Sequence, residues 1–113
     1  MSNTVNREQI RAMLDSGDPI TLVEALPRQY FDKNHLPGAI NLPHDQVAEL
    51  AAGLLPDKEA LIVVYCANTE CGNSAIARDA LERLGYSNAL EYVEGKQDWL
   101  DAGYPVESGR RVA

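Results

Sequence analysis

Residues 61–86 read Leu61-Ile-Val-Val-Tyr-Cys66-Ala-Asn-Thr-Glu-Cys71-Gly-Asn-Ser-Ala-Ile-Ala-Arg-Asp-Ala-Leu-Glu-Arg-Leu-Gly85-Tyr86. The opening run is apolar and rich in β-branched residues, which predicts a buried strand ending at Cys66. A short polar loop follows. Beyond it, Ile76, Ala77, Ala80, Leu81 and Leu84 recur at helical spacing and share one face. Gly85 ends that helix where a left-handed residue is wanted. Cys66 therefore stands at the carboxyl end of a strand, before a loop of backbone N–H groups and a helix N-terminus. Such a place binds anions, lowers a thiol pKa, and is where an α/β sheet would put a nucleophile.

Working outward, strands and helices alternate. Asn6 with Gln9 forms a capping-box pattern that opens a helix to about Leu14. Gly17-Asp-Pro19 is a turn, and residues 20–25 read as a strand. Pro27 can start a short helix reaching Asp32. His35-Leu-Pro-Gly38 turns into a short strand over residues 39–42. A helix is expected over 45–52, with Val47, Leu50 and Ala51 apolar. A strand is expected over 89–93 and a last short helix over 97–100. Strands separated by helices predict a parallel sheet covered on both faces.

The chain has 113 residues, so one domain spanning 1–113 is expected. Its formal net charge of −7 argues against nucleic acid and against an anionic membrane surface. The one local basic pair, Arg110-Arg111, reads as solvated. The polar opening Met1-Ser-Asn-Thr lacks the apolar segment of a secretion signal, and no run nears the ~20 residues of a membrane helix. Two cysteines five positions apart make no disulfide framework, so a cytoplasmic location is expected. With two Cys and two His and no ligand spacing, neither a metal nor another cofactor is expected.

Four pieces, in order, resemble the rhodanese superfamily. His35-Leu-Pro-Gly-Ala-Ile-Asn-Leu-Pro43 is similar to its first signature. Val63-Val-Tyr-Cys66 resembles the strand that ends in the active-site cysteine. Ser74-Ala-Ile-Ala, with Leu81 and Gly85-Tyr86, resembles the helix after the active loop. Glu94-Gly95-Lys-Gln-Asp-Trp99 resembles a G-G-x-x-x-W motif with Glu94 in place of the first glycine. The resemblance runs from about Asn6 to Pro105. It implies a five-stranded parallel sheet with helices on both faces, and sulfur transfer through a cysteine persulfide. Cys66 is then the catalytic nucleophile. The loop residues Ala67, Asn68, Thr69, Glu70, Gly72, Asn73 and Ser74 form the substrate or persulfide cradle.

Three departures bear on the donor. Glu24-Ala25-Leu26 replaces the family's Asp-Val-Arg. The loop from Cys66 to Asn73 is about two residues longer than usual, and Asn73 stands where Arg is common. It is similar to a variant of the form Y-C-x-x-x-x-C-x-x-S. No Lys or Arg lies between Cys66 and Ala77, so a small dianion such as thiosulfate is disfavoured. A phosphatase or arsenate reductase would want an arginine closing the loop, and none is there.

The expected function is therefore sulfur transfer. Cys66 takes sulfane sulfur from a small-molecule or protein-borne donor and yields it to a thiol or cyanide. The alternative is a redox-sensing or protein-interaction module that cycles Cys66 and Cys71 without moving sulfur. Three roles stay open for Cys71: a resolving or second thiol, a small residue filling the loop, or the nucleophile in place of Cys66, against which its mid-loop place argues. Ser74 reads as a helix cap, Arg78 as a surface ion pair, and His35 as a residue fixing its turn. His44 reads as surface or cap and Trp99 as core. Glu24 reads as a structural acid held by backbone or by an arginine such as Arg28. Oligomeric state is not legible.

Overall fold

A computed structural model describes residues 3–109, so Arg110 and Arg111 lie outside the described residues. The order is α1 (Arg7–Asp15), β1 (Ile20–Glu24), α2 (Arg28–Lys33), β2 (Ile40–Asn41), α3 (Val47–Leu54), β3 (Leu61–Tyr65), α4 (Asn73–Arg83), β4 (Ala89–Tyr92) and α5 (Gly95–Asp101). The strands form one parallel sheet in the order β2-β1-β3-β4. β3, the strand read most directly from sequence, has the predicted bounds and a central place.

Two cores follow from side-chain alternation along β3. Ile62 and Val64 face α3 and α4, packing with Val47, Ala51, Ala77 and Leu81. Val63 and Tyr65 face the other layer, packing with Ile10, Phe31 and Trp99. The sheet is therefore covered on both faces, as the apolar character of its strands requires.

The sheet has four strands, not the five that the resemblance implies. The place beside β4 is taken by residues 3–5, which make one isolated bridge, Thr4 to Glu91. Val5 N–H donates to Glu91 O at 3.0 Å and Glu91 N–H donates to Asn3 O at 2.8 Å. Pairing stops there because Asn6 already caps α1. Its side chain accepts from Gln9 N–H at 2.8 Å and Gln9 Oε1 accepts from Asn6 N–H at 2.9 Å, completing the expected capping box.

Smaller differences are local. α3 starts at Val47, with Gln46 as its N-cap, and Leu50 is exposed. On α4, Ala77 and Leu81 are buried, but Ile76 and Leu84 face outward. The buried stripe is thus narrower than the five-residue face read from sequence. Gly85 closes α4 at φ +99°, as expected. Among the described residues, no helix is long and apolar enough to cross a membrane.

Candidate active site

Cys66 follows β3 directly. The period of two puts it on the same face as Val64, against α4. It is 1% exposed. Its carbonyl accepts Lys96 N–H at 2.8 Å, and the Ala67 carbonyl accepts Gln97 N–H at 2.8 Å. The first turn of α5 therefore clamps the start of the loop. Gly95 makes that approach possible. A Cβ there would sit 2.7 Å from Cys66 O and 2.9 Å from Asn68 N, and its φ of +73° disfavours any other residue.

The loop is braced internally. Asn68 Oδ1 accepts Glu70 N–H at 3.0 Å, and Asn68 O accepts Cys71 N–H at 3.1 Å. The Asn68 oxygens thus build the turn, and Thr69, Glu70 and Gly72 lie at the surface. Asn73 is the first residue of α4. Cys66 and Cys71 are both free thiols. Cys71 presents its carbonyl oxygen to Cys66, 3.3 Å from Sγ, and its thiol also hydrogen-bonds toward the Cys66 thiol.

Ser74 is not a cap. Gly72 is the N-cap of α4 and makes no side-chain cap bond. Ser74 is buried, with Oγ 3.3 Å from Cys66 Sγ, and its hydroxyl donates to Glu91 Oε2 at 2.7 Å. Glu91 was not foreseen. Register explains it: Glu91 pairs with Val64, two residues before Cys66 on the same face. The signal in sequence is one carboxylate inside the apolar run of β4.

The expected lowering of the Cys66 pKa is not met. Burial pushes the thiol up from its ordinary value, Cys71 adds to this, and hydrogen bonding from Ser74 opposes it. Removal from water outweighs the one turn of helix that the thiol faces.

The adjacent residue, Tyr65, points to the opposite face. Its hydroxyl donates to Glu24 Oε1 at 2.9 Å and accepts Leu36 N–H at 3.1 Å. Glu24 is wholly buried, and Lys96 Nζ lies 3.1 Å from its Oε2. The same ammonium donates to Tyr30 O at 3.1 Å and Asn34 O at 2.7 Å. Glu24 is thus a structural acid as read, but its partner is Lys96. Arg28 pairs with Asp32 instead. Burial raises the Glu24 carboxyl, opposed by Lys96 and Tyr65, and burial likewise raises Tyr65. Lys96 is a cation beside the Cys66 backbone that sequence reading missed. Its ammonium is committed to Glu24 and two carbonyls, so it adds no free charge at the loop.

The remaining candidates are structural in form. His35 is buried and stacked on Phe31, with Nδ1 2.8 Å from Phe31 O. Trp99 is buried and its indole N–H donates to Pro105 O at 2.8 Å. Arg78 pairs with Asp79 and Glu82. His44 is half-buried and lies outside α3, so it is not its cap. Beside the loop is a cleft of about 210 Å³ lined by Asn68, Thr69, Glu94, Gln97, Asp98 and Asp101. Its charged side chains are acidic, Asp98 among them being paired with Arg7.

Comparison with known proteins bears on the family and the fold. The family model described as Rhodanese-like domain matches residues 6–102. The chain is 32% identical over 117 positions to the HTH-type transcriptional regulator Rv0324 of Mycobacterium tuberculosis, covering 97% of this chain and 47% of that one. It thus spans about half the length of that relative. It is 30% identical over 101 positions to the thiosulfate sulfurtransferase GlpE of Pseudomonas savastanoi pv. phaseolicola, covering 89% of each. The fold is similar to that of the human single-domain sulfurtransferase TSTD1, with TM-score 0.79, 23% identity, and 89% and 97% of the two chains covered.

Proposed function

The chain belongs to the rhodanese-like domain family, and from that premise we propose that it is a sulfurtransferase carrying sulfane sulfur on Cys66. The carrying observation is Cys66 itself, which directly follows β3 inside a loop clamped by α5 through Gly95. The thiolate of Cys66 attacks the outer sulfur of a donor R–S–SH. The donor S–S bond breaks, R–S⁻ leaves, and Cys66 keeps the transferred sulfur as a persulfide. An acceptor thiolate then attacks that outer sulfur and releases the Cys66 thiolate.

The donor class follows from charge. Glu70 stands in the loop, Glu94, Asp98 and Asp101 line the neighbouring cleft, and the Lys96 ammonium is occupied. A neutral or protein-borne persulfide suits this surface better than thiosulfate. Mass spectrometry after exposure to a persulfide donor tests the reading. Wild type should gain one sulfur atom on the Cys66 peptide, and Cys66→Ser should gain none while keeping its thermal stability. Sulfur uptake undiminished in Cys66→Ser would overturn the assignment.

One observation favours a second reading. The match to a transcriptional regulator spans nearly the whole chain, which suits a redox-sensing or interaction module using Cys66 and Cys71. Loss of two hydrogens across the pair under oxidant, with no sulfur gained from any donor, would select it.

A further inference from the structure

A carboxylate only accepts hydrogen bonds, so the 2.7 Å contact fixes the Ser74 hydroxyl proton on Glu91. Ser74 Oγ therefore has only a lone pair to offer Cys66 Sγ, 3.3 Å away. The second neighbour of Sγ, the Cys71 carbonyl, is also an acceptor. Both stabilise S–H and neither stabilises S⁻. The Ser74 backbone N–H favours the thiolate, and the Ser74 hydroxyl does so only when its proton turns from Glu91 to the sulfur.

We propose that Glu91, acting through Ser74, is a positioning residue that holds Cys66 as the neutral thiol at rest. The inference rests on the reading of Cys66 as the sulfur-carrying thiol. Ionisation needs the hydroxyl to turn. The Sγ proton passes to Oγ as the Oγ proton passes to Oε2. Serine stays neutral with its O–H now facing the thiolate, and Glu91 surrenders the proton to solvent. Only the S–H and O–H bonds are exchanged, and nothing is oxidised. Glu91 is only half-buried, so a donor or partner can reach it. Among the described residues, the titratable groups around the thiol are Cys71 and the exposed Glu70 in the loop, Glu91 on β4, and Arg78 on α4, which pairs with Asp79 and Glu82. On α5, Lys96 directs its ammonium away to Glu24.

The test is the pH titration of thiolate ultraviolet absorbance in the full chain carrying Cys71→Ser, with no sulfur donor present. Glu91→Ala frees the Ser74 hydroxyl and should lower the Cys66 midpoint by about one unit, a tenfold rise in thiolate at neutral pH. Glu91→Gln keeps an acceptor of the same size and should shift it less. In a Ser74→Ala background, Glu91→Ala should have no further effect. An unmoved midpoint, or the same shift with and without Ser74, would overturn the proposal. Persulfide formation measured in parallel separates the two readings. If the midpoint moves as stated but wild type gains no sulfur, sulfur transfer fails and the Glu91 assignment stands. If sulfur is gained and the midpoint is unmoved, the reverse holds.

Discussion

Tyr65 and Cys66 are neighbours in sequence, yet they serve two networks of opposite character. Tyr65 joins Glu24 and Lys96 in a buried ion pair in which each charged head has protein partners. Cys66 joins Ser74 and Glu91 in a chain of hydrogen bonds that ends in a half-buried carboxylate. The first ties β1, α2, β3 and α5 together. The second links the end of β3, α4 and β4, and it controls a proton. Completeness of pairing is the difference: a closed network resists change, and a chain open at one end can release a proton to solvent.

The largest expected effect would break the first network. Lys96→Ala leaves Glu24 buried without its cation, and urea unfolding should show a loss of about 3–5 kcal/mol. Glu24→Gln combined with Lys96→Met should recover most of it, since no lone charge remains buried. On the other side, Glu91→Ala should cost less than about 1 kcal/mol, as expected at a partly exposed position. Equal losses would erase the contrast.

Gly95 lies where the two networks meet, and its substitution is the next in size. Gly95→Ala forces a Cβ against Cys66 O at positive φ. It should cost about 1–3 kcal/mol and slow persulfide formation on Cys66 by displacing the loop. Lost stability with an unchanged sulfuration rate would show that the clamp does not position the thiol.

Charge at the loop gives a third measure. Asn73→Arg should raise transfer from thiosulfate about tenfold, within the reach of one charge-assisted hydrogen bond. Transfer from a neutral persulfide donor should change little. If thiosulfate already works well in wild type and Asn73→Arg leaves that rate alone, the electrostatic account of donor choice is wrong.

The smallest effect is on pH dependence. Burial raises the folded Glu24 carboxyl above its ordinary value, beyond what Lys96 and Tyr65 recover. The folded state thus binds this proton more tightly than the unfolded chain. Its stabilising contribution is full below about pH 4.3 and is lost as pH rises through the folded value. Unfolding midpoints of wild type and Glu24→Gln, compared from pH 4 to 7, should show wild type losing ground as pH rises. A difference independent of pH would mean the carboxyl is not raised.

What sequence determined here was local and periodic. The apolar run before Cys66 marks β3, the Asn6 and Gln9 spacing marks the start of α1, and Gly85 marks the end of α4. Each depends on residues within a few positions of one another, so composition and spacing suffice. The motifs carrying the family resemblance also name Cys66. Tertiary structure decided what surrounds that thiol. Ser74 reads as a cap until β4 brings Glu91 to its hydroxyl, and Glu24 reads as a partner for Arg28 until α5 delivers Lys96 from 72 residues away. The fifth strand fails for a similar reason, since capping at Asn6 leaves one bridge beside β4. Hydrogen bonds and ion pairs act over about 3 Å, and chain position says little about which distant groups folding brings that close.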